Sequence, residues 1–175
     1  MIKGGKGGST TLTGIEFEKR IDLRTAFNNL PNYQVKGNDL IYNGKIVAKM
    51  YKKYELYNKF LTNLGVKWQS LASHRLVPDD SIFVLANNTL FIIEMKFQHG
   101  SGSVDEKLQT CDFKKKQYKK LLSETKIKVE YVYVLNDWFK QSRYKDVLNY
   151  IESVNCKFFF EKLPFKVLGL PEPSK

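Results

Sequence analysis

Residues 89–98 read TLFIIEMKFQ. Phe91, Ile92, Ile93, Met95 and Phe97 describe a strand entering a core, and Glu94 and Lys96 stand inside it. In a strand, residues two apart share a face, so the carboxylate and the ammonium point together while Ile93 and Met95 point the other way. An ionised carboxylate taken from water is costly unless it is paired or holds a metal. Two readings follow: a local ion pair at a strand end, or half of a metal-dependent active site.

The neighbouring sequence builds outward from this strand. SIFVLA precedes it across Asn87-Asn88, a hairpin signal. Farther upstream, LIY and KIVAKMY flank Asn43-Gly44, a second hairpin. From Thr13 the spacing of Ile15, Phe17, Ile21, Leu23 and Phe27 predicts a helix ended by Pro31, with Ser9 or Thr13 as its cap and Glu18 on it. A second helix is expected over Tyr54–Leu64, stopped by Gly65. Downstream, Ser103 and Glu106 form a capping box for a helix running to about Ser123. Val104, Leu108, Cys111, Tyr118 and Leu122 would face inward, and Lys107, Lys114, Lys115, Lys116, Lys119 and Lys120 outward. VEYVYVL reads as a strand buried on both faces, followed by a helix near Tyr144–Val154 and KFFF as the last strand. The Pro-rich tail LPFKVLGLPEPSK is expected on the surface. Strands alternating with helices after early hairpins imply an α/β fold, a mixed central sheet flanked by helices.

No linker or repeat interrupts the pattern, so residues 1–175 are expected to form one domain, with 1–12 as a flexible Gly-rich arm. That arm, GGKGGST, is no phosphate loop, because no strand leads into it and no GK[ST] triplet occurs. Lys and Arg number 29 against 18 Asp and Glu, a formal charge of +11 that suits a polyanionic partner such as nucleic acid or an acidic membrane surface. Cys111 and Cys156 make no disulfide framework, and with two histidines they make no zinc set. There is neither a membrane-length apolar run nor the apolar core of a signal peptide, so a cytoplasmic location without membrane partners is expected.

Acid-x-Lys triplets occur four times: at Glu94-Lys96, Asp105-Lys107, Asp112-Lys114 and Glu124-Lys126. Only the first lies in an apolar strand. The sole Pro-Asp dipeptide, Pro78-Asp79, stands at the mouth of the strand that pairs with it. Both acids lie far from the Asn87-Asn88 turn, so the hairpin register brings them close. Two such carboxylates repel unless a cation sits between them, and all-oxygen ligands suit Mg²⁺.

Pro78-Asp79, then Glu94-Met95-Lys96 fifteen positions after Asp79, resembles the PD-(D/E)XK nuclease superfamily. Residues 75–122, from RLVPDDSIF through QHGSGSVDEKLQT to KKKQYKKLL, are similar to the core of small bacterial proteins related to type II restriction endonucleases. The similarity continues through VEYVYVLNDWF and KFFF. It implies a restriction-endonuclease-like core and Mg²⁺-dependent hydrolysis of double-stranded DNA, with Mn²⁺ as a substitute. Asp79, Glu94 and the Met95 carbonyl would hold the metal, and Lys96 would orient or activate the attacking water. Glu18, with Glu16 as the fallback, would match the further acid of the helix before the sheet.

The DNA-contact candidates are Lys107, Lys114, Lys115, Lys119, Gln98, His74 and Arg75. The lysine face reads equally as a solvated helix surface, and His74 as a surface-loop histidine. Gln98 would bind a base edge or a phosphate, and Asp80 would face solvent beside Asp79. Symmetric target sites would favour a homodimer. Competing functions are a repair nuclease or junction resolvase on the same fold, a catalytically inactive DNA-binding module, and an RNA-associated basic protein.

Overall fold

The computed structural model describes residues 14–16, 22–100 and 104–173. In chain order the elements are β1 (Gly14–Glu16), α1 (Leu23–Asn28), β2 (Tyr33–Lys36), β3 (Asp39–Tyr42), β4 (Lys45–Lys52), β5 (Asp80–Val84) and β6 (Thr89–Lys96). They continue with α2 (Val104–Leu108), α3 (Cys111–Leu121), β7 (Lys128–Leu135), α4 (Lys145–Ser153), β8 (Lys157–Phe160), β9 (Lys162–Pro164) and α5 (Phe165–Leu168). Between β4 and β5 lies a helical stretch wound as a π-helix over Leu56–Leu61.

Seven strands form one mixed sheet in the order β2-β3-β4-β5-β6-β7-β8. It is an antiparallel meander as far as β6, and then β7 and β8 add in parallel. Parallel neighbours need a crossover, which α2 and α3 supply before β7 and α4 before β8. This is the α/β class with a mixed sheet flanked by helices that the pattern predicts. The β3–β4 hairpin closes on Asn43 and Gly44, both at positive φ (48° and 78°), as a twist-matched two-residue turn demands. Gly65, at φ 73°, ends the helical stretch as expected.

Alternation along the central strands sorts two cores. Leu90, Ile92, Tyr131 and Tyr133 pack under α2, α3 and the π-helical stretch. Phe91, Ile93, Val132 and Val134 pack with α1, α5 and the β1/β9 pair. Each large apolar side chain so buried is worth about 1.5–3 kcal/mol, which fixes the register of β6 because a one-residue slip would exchange its faces.

Four expectations need correction. Gly14–Glu16 is a strand, not helix: it pairs antiparallel with β9, Ile15 opposite Leu163. The helix that follows starts only at Leu23, capped by Asp22, whose Oδ1 accepts the Thr25 N–H at 2.9 Å. Phe17, Glu18 and Ile21 lie outside the described residues, as do arm residues 1–12 and Ser103 of the capping box. The helix expected as far as Ser123 is broken at Gln109-Thr110 into α2 and α3. KFFF is not the last strand, since β9 follows it. The tail is not on the surface, because Leu163, Phe165, Leu168 and Leu170 are buried in the second core. Asn87 pins that segment to the β5–β6 turn, its Nδ2 donating to the Leu168 carbonyl at 2.9 Å.

Candidate functional site

The β5–β6 register pairs Asp80 with Ile93, which places Asp79, one residue before β5, across from Glu94. Asp79 Oδ2 accepts the Met95 backbone N–H at 3.0 Å, so the main chain of β6 holds that carboxylate. Glu94 is 5% exposed and points with Ile92 toward α3. The Lys96 ammonium lies 2.6 Å from Glu94 Oε2, 3.4 Å from Asp79 Oδ2 and 3.4 Å from the Met95 carbonyl oxygen. Three oxygens from opposed strands thus converge on one cation. Asp79, Glu94, Met95 and Lys96 come together as the sequence predicts.

Glu94 has a second cation. Lys114 reaches down from α3 and places its Nζ 3.3 Å from Glu94 Oε1. The two oxygens of Glu94 therefore face different lysines, and with Asp79 the cluster holds two carboxylates and two ammoniums. Burial pulls the Lys96 pKa down, but the Glu94 and Asp79 carboxylates more than offset it and hold it above that of free lysine. Lys96 is thus an ammonium at neutral pH.

The site opens into a cleft of about 510 Å³. Asp22, Lys52, Lys53, Asp79, Asp80 and Lys96 are its polar lining. Lys52 pairs with Asp22 at 3.2 Å, and the Thr25 amide holds the Asp22 carboxyl below its usual range. Asp80 is buried, not solvent-facing. It points to the opposite face of the sheet from Asp79, where its Oδ2 accepts the Leu23 N–H at 3.4 Å. Burial pushes its pKa up to about 6, against the lowering effect of that amide and of Lys52.

Two of the DNA-contact candidates are corrected. Lys115 is buried under α3, donating to the Asn155 carbonyl and, at 3.2 Å, to Glu130, so it is no part of an outer lysine face. Gln98 is buried too; its backbone is clasped by the Asn136 carboxamide (3.1 and 2.8 Å) and its side-chain amide donates to the Gly100 carbonyl. Lys107 and Lys119 are exposed on α2 and α3. His74 is exposed beside Ser73, and Arg75 stacks over the Tyr54 and Trp68 rings at 4.9 and 5.4 Å. Glu18 lies outside the described residues. The π-helical stretch contributes Tyr57, whose hydroxyl accepts the Leu76 N–H and donates to the Leu76 carbonyl, both at 2.9 Å, steadying the loop that leads to Pro78-Asp79.

The sequence reading missed Asp22, Lys52 and Lys53 as cleft residues and Lys114 as a partner of Glu94. Lys114 had a signal available: it stands in the Asp112-x-Lys114 triplet, one turn from Tyr118 on the helix that covers Glu94.

The oxygens fit a small hard cation. Among the described residues no three His, Cys, Asp or Glu side chains gather into a cage. Two carboxylates and a peptide carbonyl nevertheless match Mg²⁺, which keeps several waters and takes one or two carboxylates from protein. Zinc and copper, which prefer nitrogen and sulfur, are poorly served.

No family model, curated protein or solved structure matches the chain. Among the described residues no helix is long and apolar enough to cross a membrane.

Proposed function

We propose that the chain is a Mg²⁺-dependent endonuclease of the type II restriction kind, hydrolysing phosphodiester bonds in double-stranded DNA. The observation that carries this reading is the convergence of Asp79, Glu94 and the Met95 carbonyl on the Lys96 ammonium, beside a cleft lined by Asp79, Met95 and Lys96. The order of elements supports it as well: an antiparallel hairpin bearing the acids, a crossover helix, then a parallel strand, in line with the restriction-endonuclease-like core that the sequence resemblance implies. The formal charge of +11 suits the substrate.

Asp79, Glu94 and the Met95 carbonyl would hold the metal. Bound there, Mg²⁺ supplies a Lewis acid that offsets charge on the phosphoryl group and makes water more acidic. Lys96, protonated beside two carboxylates, is suited to donate hydrogen bonds to charge developing on the phosphate, and ill suited to take a proton. The Met95 N–H keeps Asp79 Oδ2 oriented, and the two oxygens of Glu94 are oriented by Lys114 at Oε1 and Lys96 at Oε2. Adding a divalent ion to the balanced cluster of two carboxylates and two ammoniums leaves it net positive, which favours an anionic substrate over a neutral one.

The test is digestion of a sequenced phage DNA with Mg²⁺. Discrete bands that disappear in Asp79→Ala and Glu94→Ala are the expected result. A smear would point to a non-specific nuclease, cutting of branched DNA alone to a resolvase, and tight binding with no cutting to an inactive module.

A further inference from the structure

Six non-glycine residues among those described have left-handed backbones: Asn32, Asn43, Lys53, Asn88, Asn155 and Glu161. Four are asparagine, which adopts this conformation readily. Glu161 has an internal reason, since its carboxylate accepts the Asp137 N–H at 2.9 Å. Lys53, at φ 50°, makes no such side-chain bond, and its carbonyl accepts the Leu56 N–H at 3.3 Å. A turn needing only positive φ between β4 and the helical stretch is better served by glycine or asparagine.

The surroundings of Lys53 are fully used by others. Lys52 pairs with Asp22, and its N–H donates to Glu55 Oε2 at 3.0 Å. Glu55 is taken by Arg24 and Lys59. The Lys53 side chain is exposed, has no hydrogen bond or ion pair among the described residues, and lines the same cleft as Asp79 and Lys96. A residue of strained type thus presents a free ammonium in the cleft, and strain of this kind gathers at ligand sites.

We propose that Lys53 binds a phosphate of the DNA backbone next to the one being cleaved, as a substrate-binding residue on the β4 wall of the cleft. The inference rests on the nuclease reading and adds to it the residue that holds the strand in place. A lysine serves here as a point charge with no base preference, so its contribution is independent of DNA sequence and sensitive to salt.

The experiment compares wild type with Lys53→Asn, Lys53→Gly and Lys53→Arg. Binding of a fluorescein-labelled random-sequence duplex is measured in chelator over a range of salt, cleavage of supercoiled plasmid is measured in Mg²⁺, and melting temperatures are recorded. The Asn and Gly variants should melt no lower than wild type, bind several-fold more weakly, and show a plot of log affinity against log salt shallower by about one unit. Their KM should rise with kcat little changed, and Lys53→Arg should restore binding. Wild-type slope and KM in the Asn and Gly variants of an enzyme that cuts DNA would overturn the role of Lys53 alone. A wild type that neither binds nor cuts would overturn the nuclease reading, and this inference with it.

Discussion

The Lys96 ammonium lies 2.6 Å from Glu94 Oε2 on the face of β6 that looks toward α3. The pair is neither a surface ornament nor isolated in the core. The same nitrogen reaches Asp79 Oδ2 and the Met95 carbonyl, each at 3.4 Å, and the other oxygen of Glu94 is held by Lys114. A structural ion pair needs only the first contact. The additional oxygens gathered around one cation at a cleft are what favours the metal-site reading.

That arrangement separates Glu94-Met95-Lys96 from the other acid-x-Lys triplets. Asp112 already spends its charge on Lys116, 2.6 Å away along α3. Asp112→Ala and Glu124→Ala should leave plasmid cleavage within a few-fold of wild type. Asp79→Ala and Glu94→Ala should each remove nearly all of it, and a loss at Asp112 as large as that at Glu94 would move the site elsewhere.

Glu55 supports the cleft wall from behind. Its carboxylate meets Arg24 at 2.5 Å, Lys59 at 2.6 Å and the Lys52 N–H at 3.0 Å. Burial raises its pKa, but Lys59, the Lys52 amide and Arg24 prevail and bring it to about 2. A depressed carboxylate stabilises the fold above its unfolded pKa, and that contribution is lost as pH falls from about 4.5 through about 2. The full shift would correspond to about 3 kcal/mol, and solvent screening at this partly exposed site reduces it to about 1–2 kcal/mol. Glu55→Gln should therefore lose about that much in urea unfolding at pH 7, with the deficit shrinking toward pH 2. A deficit independent of pH would assign the loss to packing instead.

Asp80 works in the opposite sense. Burial raises its pKa to about 6, so the folded state favours the protonated form. Its contribution is fully present below about pH 4 and is lost as pH rises through about 6. Asp80→Asn keeps an oxygen for the Leu23 N–H and removes the buried charge. In chelator it should be more stable than wild type at pH 8, by up to about 3 kcal/mol, and nearly equal to it at pH 4. Equal stability at both pH values would show that Asp80 carries no such penalty.

Much of the fold is legible because its signals are local. Asn43-Gly44, and Asn87-Asn88 between two apolar runs, give the hairpins, and the apolar run Tyr131–Leu135 gives a strand covered on both faces. The β1–β9 pair escapes this kind of reading because each strand has three residues and Ile15 finds Leu163 across nearly the whole chain. Lys115 resembles its five lysine neighbours until Glu130 and the Asn155 carbonyl are placed beneath it. Asp80 differs from Asp79 only in the face it takes, and a single step along a strand reverses that face. The Asp79–Glu94–Lys96 group is legible because a hairpin register and a two-residue spacing suffice to assemble it. Lys53 is not, because a left-handed backbone leaves no trace in a lysine.

The most direct measurement is thermal unfolding of wild type, Glu94→Gln and Asp79→Asn, each in chelator and in millimolar Mg²⁺. In chelator Glu94→Gln should already be less stable, because Lys114 loses its carboxylate and Lys96 keeps only Asp79; breaking a fully buried pair costs about 3–5 kcal/mol, the upper limit for these part-buried lysines. The deciding quantity is the increment that Mg²⁺ adds. For a dissociation constant on the order of 1 mM, ~10 mM Mg²⁺ should stabilise the wild type by about 1.4 kcal/mol, a rise of a few degrees. Both variants should lose that rise. A wild-type melting temperature unmoved by Mg²⁺, or a rise retained in both variants, would contradict the assignment of Asp79 and Glu94 as the metal site.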